Sequence, residues 1–174
     1  MEKLEREAVR IDVILPFEVR TISEEEIKNS VARTVGDVPL FSYIPLKDTL
    51  DEALNNWLKL INAKLDYLIN LLTREKEGFH KLPYRKVNIS EKGLRFKSES
   101  PFQIGDPVEI KIVLDLYQPL GFYIYGKILR CEKKDEEYEV ALEFVNLPTH
   151  IREKIGFFIL NKEREMIREK RVAK

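Results

Sequence analysis

Cysteine occurs once in this chain, as Cys131, so no intrachain disulfide can form and no thiolate metal site is available. Histidine occurs twice, at His80 and His150, too few for a convincing zinc site. No run approaches the ~18 apolar residues of a membrane span. The charged N-terminus MEKLEREAVR lacks the apolar stretch of a signal peptide, so a cytoplasmic protein is expected. A surplus of one charge sign is missing too: 30 Lys+Arg balance 30 Asp+Glu. That balance argues against a binder of nucleic-acid polymers, whose unspecific affinity needs excess cations. The elements of common enzymes are equally absent. No serine sits in a Gly-x-Ser-x-Gly elbow, and there is no glycine-rich phosphate loop. No catalytic residues, metal or cofactor are therefore expected.

What is present divides the 174 residues into stretches of different hydrophobic period. Residues 11–20 alternate Val13, Leu15, Phe17 and Val19 on one face, the period of a strand, with Pro16 suggesting an edge or a bulge. Ser23 and Glu26 have capping-box spacing, and Ile27, Val31 and Val35 suggest a short helix stopped by Gly36. A helix is expected over 47–76. Within it Leu54, Leu58, Ile61, Leu65, Leu68 and Leu72 follow a 4-3-4-3-4 spacing, the seam of a coiled coil. Leu50, Trp57, Leu71 and Ile69 widen that seam beyond a two-stranded coil. A bundle of three or four helices, or packing against the rest of the chain, suits it better.

After Gly78 the period returns to two. Strands are expected over 86–89, 93–98, 107–114, 122–131 and 138–145, with turns at 91–93, 104–106, 118–121 and 132–137. Together with 11–20 they make a small antiparallel barrel. A helix over 148–170 follows, with Ile151, Ile155, Phe158, Ile159, Met166 and Ile167 near one face. The fold class is mainly β with helices (α+β). A barrel from 1–20 and 79–174 is interrupted by a helical segment, 21–78.

Two short patterns stand out: Arg6-Glu7-Ala8-Val9-Arg10 just before the first strand, and Asn88-Ile89-Ser90-Glu91-Lys92-Gly93 where one strand turns into the next. Local chemistry alone accounts for either, as a solvated terminus and as a turn with Gly93 at positive φ. In this order relative to the strands, however, they resemble the PilZ domain family, which carries Arg-x-x-x-Arg and (Asp/Asn)-x-Ser-x-x-Gly at these places. Arg10–Phe17 also looks like that family's first strand, and Ala141–Pro148 like its ending.

The resemblance implies a six-stranded antiparallel barrel with a C-terminal helix, and a non-enzymatic receptor for cyclic di-GMP. Arg6 and Arg10 would fork onto phosphate or guanine from an arm that closes over the ligand. Asn88 and Ser90 would leave one strand face together to meet a purine edge, and Gly93 would admit close approach. Glu5, where several relatives carry a further arginine, favours one ligand molecule per site. The insert of about 65 residues exceeds ordinary loop lengths and resembles that of tetramer-forming PilZ proteins. The alternative function is thus an oligomeric interaction module, related to motility or pili, that binds no nucleotide. Either way a homo-oligomer, with a tetramer favoured, and a downstream protein partner are expected.

The zero net charge is also segregated. Arg85, Lys86, Lys92, Arg95 and Lys97 cluster around the Asn88 motif against Glu91 alone. A local site for a small dianion fits that distribution better than a broad polyanion surface does.

Overall fold

The computed structural model describes residues 9–37 and 50–172. Among the described residues seven strands and three helices follow one another: β1 (Ile11–Thr21), α1 (Glu24–Asn29), β2 (Arg33–Val35), α2 (Glu52–Lys76), β3 (Tyr84–Ser90), β4 (Gly93–Ser98), β5 (Pro107–Asp115), β6 (Pro119–Lys134), β7 (Glu137–Phe144) and α3 (Thr149–Val172). A single 3₁₀ turn, Phe79–Lys81, joins α2 to β3.

Alternation builds the barrel. Ile11, Val13, Leu15 and Phe17 of β1 point inward, and their neighbours along the strand do not. The first half of β1 pairs with β3 (Ile11 opposite Ile89) and the second half with β5 (Phe17 opposite Ile112), all antiparallel. Pro16 falls at this handover, where a residue without an N–H costs the ladder least. The order β6-β5-β1-β3-β4-β7 closes on itself through β6–β7 pairing, giving a six-stranded antiparallel barrel. Closure removes most of the sheet edge, and the side of β6 left open over Gly121–Tyr123 is taken by β2. Phe17 and Phe96 meet edge-on inside it, with ring centres 5.2 Å apart. One end is covered by α3 through Ile151, Ile155, Phe158 and Ile159. Pro148 precedes α3, and its carbonyl accepts from Arg152 N at 3.0 Å, the first helical bond.

Three local expectations need correction. The apolar stripe through Val31 and Val35 is not one helix: α1 ends at Asn29 although its capping box forms. Val31 is exposed, and Arg33–Val35 pair with Tyr123–Gly121 of β6 as a seventh strand beside the barrel. The turn expected at 118–121 lies earlier, at 116–118, and Gly121 is inside β6. A Cβ there would lie 2.9 Å from the Phe79 ring, so glycine lets that ring lie on the strand. Ile167, placed with the buried face of α3, is exposed, while Met166 beside it still packs against the core. The helix expected over 47–76 is α2, residues 47–49 lying outside those described.

The attachment of α2 is polar. Asn70 is its one buried residue. Its Nδ2 donates to the carbonyls of Gly36 (2.6 Å) and Pro119 (3.1 Å), and its Oδ1 accepts from Arg74 Nε (2.9 Å). At the residue that caps the end of α2, Arg33 forks onto Glu77 at 3.1 and 2.7 Å with its guanidinium 4.3 Å above the Tyr123 ring. Hydrogen bonding from Arg33 holds the Glu77 carboxyl below the usual carboxylate range.

Candidate functional site

Arg6 and Glu5 lie outside the described residues. Arg10 is exposed and immediately precedes Ile11, the first paired residue of β1. Asn88 stands opposite Asp12 on one side and Arg95 on the other. Residues opposite one another in an antiparallel ladder share a face, so Asp12, Asn88 and Arg95 form a row across three strands on the outside of the barrel. Around that row is a cavity of about 350 Å³ lined by Asp12, Lys86, Asn88, Arg95, Lys97 and Glu139.

The electrostatics of this hollow are lopsided. Lys97 is neutralised by Glu137 at 2.8 Å, and Glu139 is held by Lys134. The side chains of Lys86 and Arg95 make no hydrogen bond or salt bridge with another described residue, although the Arg95 charge is near enough to help Lys134 hold the Glu139 carboxyl below its usual range. Two cationic side chains without a direct contact are thus within reach of a ligand. Asn88 Nδ2 donates to Asp12 Oδ1 at 3.1 Å, while Asn88 Oδ1 is buried with no donor among the described residues. A carbonyl oxygen left like this costs about 1–3 kcal/mol, which an incoming N–H would recover.

The other motif residues do different work. Ser90 is fully buried, its hydroxyl donating to Gly93 O (3.2 Å) and accepting from Lys92 N (3.3 Å). It closes the turn and does not line the cavity with Asn88, as strand alternation had suggested. Gly93 has no positive φ. It is glycine because a Cβ would run into the carbonyl of Leu142 and crowd Glu143 Cα at 3.0 Å, where β4 lies against β7. In this structure Asn88 alone of the described motif residues lines the hollow; Arg10 lies outside its lining.

Asp12, Lys86 and Arg95 were not named as site residues from the sequence. The two cations had a signal, the basic run around the motif. Asp12 had none, because its partner lies 76 positions away and only the register brings them together.

A second surface is conspicuous. Leu54, Leu58, Ile61, Leu65, Leu68 and Leu72 are all between 39% and 61% exposed. At about 100° per residue, Asn70 lies about 160° around the helix from Leu54 and Leu72. The side of α2 latched to the barrel is therefore opposite the heptad seam, which its own barrel leaves uncovered. Among the described residues no helix is long and apolar enough to cross a membrane, and no cluster of side chains is arranged to hold a metal.

A family model described as the PilZ domain matches residues 65–161. The match begins within α2 and takes in Asn88, Ser90 and Gly93; β1 with Arg10 lies before it. No curated protein matches the chain. Among solved structures, a pathogenic protein from Xanthomonas campestris, described as a new tetrameric PilZ domain self-assembled via an unusual helical bundle, has the same fold. The two share 17% identity at a TM-score of 0.62, over 93% of this chain and 92% of that one.

Proposed function

The chain belongs to the PilZ domain family, and from that premise we propose that it is a non-enzymatic, cytoplasmic receptor for cyclic di-GMP. The observation that carries the reading is Asn88 Oδ1, buried without a donor among the described residues in a hollow where the side chains of Lys86 and Arg95 make no direct hydrogen bond or salt bridge. Cyclic di-GMP brings what is missing there: two phosphate charges and purine N–H groups. Arg6 and Arg10 add guanidinium groups that can fork onto phosphate or stack on a base. Ser90 and Gly93 hold the turn that fixes the end of β3, so they serve the site by shaping it. Residues 1–20 with 79–174 form the receptor domain, and 21–78 the assembly segment, with β2 as the point where that segment joins the sheet. The expected consequence of binding is a changed contact with a downstream protein.

Isothermal titration with cyclic di-GMP tests this. A micromolar site would be saturated at ~100 μM ligand; absence of heat at that concentration refutes the receptor reading.

The exposed seam of α2 supports a second, compatible property: self-association, with a tetramer favoured. Eleven large apolar or aromatic side chains on this helix are exposed in the single chain, among them Trp57 and Leu60 besides the seam. Soluble monomers rarely leave contiguous apolar patches beyond a few hundred Å² uncovered. The Xanthomonas campestris relative is described as assembling through a helical bundle. Sedimentation of the wild type should give a multiple of the 20.5 kDa chain mass, and a monomeric mass would refute it. If the titration is silent and the mass is multiple, the oligomeric interaction module, related to motility or pili, takes the place of the receptor.

A further inference from the structure

Within the candidate cavity Asp12 is out of place. A carboxylate beside Lys86 and Arg95 weakens the attraction of the hollow for any anion, so charge complementarity alone would not put one there. Its geometry offers a reason. Asp12 Oδ1 accepts from Asn88 Nδ2 at 3.1 Å. That bond fixes the amide: turned over, Asn88 would set its carbonyl oxygen against the carboxylate, two acceptors with no proton between them. With the amide fixed, Asn88 Oδ1 is held as an acceptor awaiting a donor. Asp12 is itself exposed and has a second oxygen free of that bond. The middle of a basic hollow thus carries two neighbouring acceptors on adjacent strands.

Purine edges differ in this respect. The Watson–Crick edge of guanine presents two adjacent donors, N1–H and the N2 amino group. Adenine presents N1 as a lone pair beside its N6 amino group, so one of its positions would face an acceptor with an acceptor. Burying unlike partners is favourable, and leaving an acceptor against an acceptor is the stronger means of rejection. We infer that Asp12 selects guanine in this cavity, by holding the Asn88 amide in its accepting orientation and by receiving base N–H groups itself. The inference rests on the receptor reading and adds to it a residue outside both motifs. Asn88 Oδ1 is covered in this structure, so a base reaches it once the side chains around it have moved.

The experiment compares cyclic di-GMP with cyclic di-AMP, titrated into the wild type and Asp12→Ala. The expected result is a fall of about tenfold or more in cyclic di-GMP affinity, since hydrogen bonds to charged groups are the stronger kind. Cyclic di-AMP affinity should stay within about threefold, so the ratio between the nucleotides collapses. Thermal stability should hardly change, because the side chain is exposed. Asp12→Asn, which keeps the shape of the side chain, is the second variant should Asp12→Ala fold poorly, and its ratio should fall as well. An unchanged ratio with intact cyclic di-GMP binding overturns the role of Asp12 alone. Affinities that shift equally for both nucleotides also overturn it, because removing a charge would suffice. A wild type that gives no heat with cyclic di-GMP overturns the receptor reading and this inference together.

Discussion

Replacing Asn70 by alanine should loosen α2 from the barrel, and the size of the effect follows from what the side chain touches. The carbonyls of Gly36 and Pro119 both lose their donor, and Arg74 loses an acceptor. A buried carbonyl left unpaired costs about 1–3 kcal/mol. Alanine returns part of that through its better helix propensity, about 0.7 kcal/mol. The net expectation is a loss of about 2–4 kcal/mol. For a chain of this size about 2–4 °C of Tm accompanies each kcal/mol, so the midpoint should fall by about 4–16 °C. Thermal unfolding followed by circular dichroism measures it. Asn62→Ala, at an exposed position of the same helix, isolates the propensity contribution and should leave the midpoint level or slightly higher. Equal midpoints for Asn70→Ala and Asn62→Ala would refute the reasoning, since the buried amide would then bear no weight in docking the helix.

Arg10→Ala should remove a charge-assisted contact and weaken cyclic di-GMP binding by about 1.5–3 kcal/mol in titration; wild-type affinity would show that the arginine lies outside the site. Leu58→Asp/Leu65→Asp places charge in the middle of the α2 seam and should reduce the sedimenting mass to that of one chain, and an unchanged mass would eliminate the seam as the interface. Gly93→Ala should destabilise the barrel by about 1–3 kcal/mol, because β4 and β7 must part to admit the methyl group; denaturant unfolding reads this directly. The Arg33–Glu77 pair makes stability depend on pH. The folded state holds the Glu77 carboxyl below its ordinary value, so its contribution is present above that value and is lost as acid protonates it. The Tm difference between wild type and Glu77→Gln should therefore be largest near neutrality and shrink below about pH 4. It should amount to under about 1 kcal/mol, because Arg33 is half exposed.

The alternation of Ile11, Val13, Leu15 and Phe17 was enough to find β1, and Gly93–Ser98 appears as expected because a turn signal bounds it. Periodicity fails where the element is too short to have a period. Arg33–Val35 is three residues long and exists only because the side of β6 over Gly121–Tyr123 needs a partner. Gly121 misled for the opposite reason: a glycine that admits the Phe79 ring has the same letter as one that makes a turn. At the candidate site, Asn88 and the nearby cations were visible as a motif and a basic run. Asp12 was not, since nothing local links it to a residue 76 positions on. On α2 the heptad announced the seam, while the opposite face depends on one asparagine whose partners, Gly36 and Pro119, come from distant segments.

The pairing of β1 also has a consequence for the order of events during synthesis. Ile11 cannot meet Ile89 until 78 further residues have been made, and Phe17 waits longer still for Ile112. The bonds within α2 span only one helical turn each and form on the sub-microsecond to microsecond scale. As the chain leaves the ribosome, α2 is thus complete while β1 is still without a partner and the barrel does not exist. The apolar seam of α2 is then exposed before the barrel has closed.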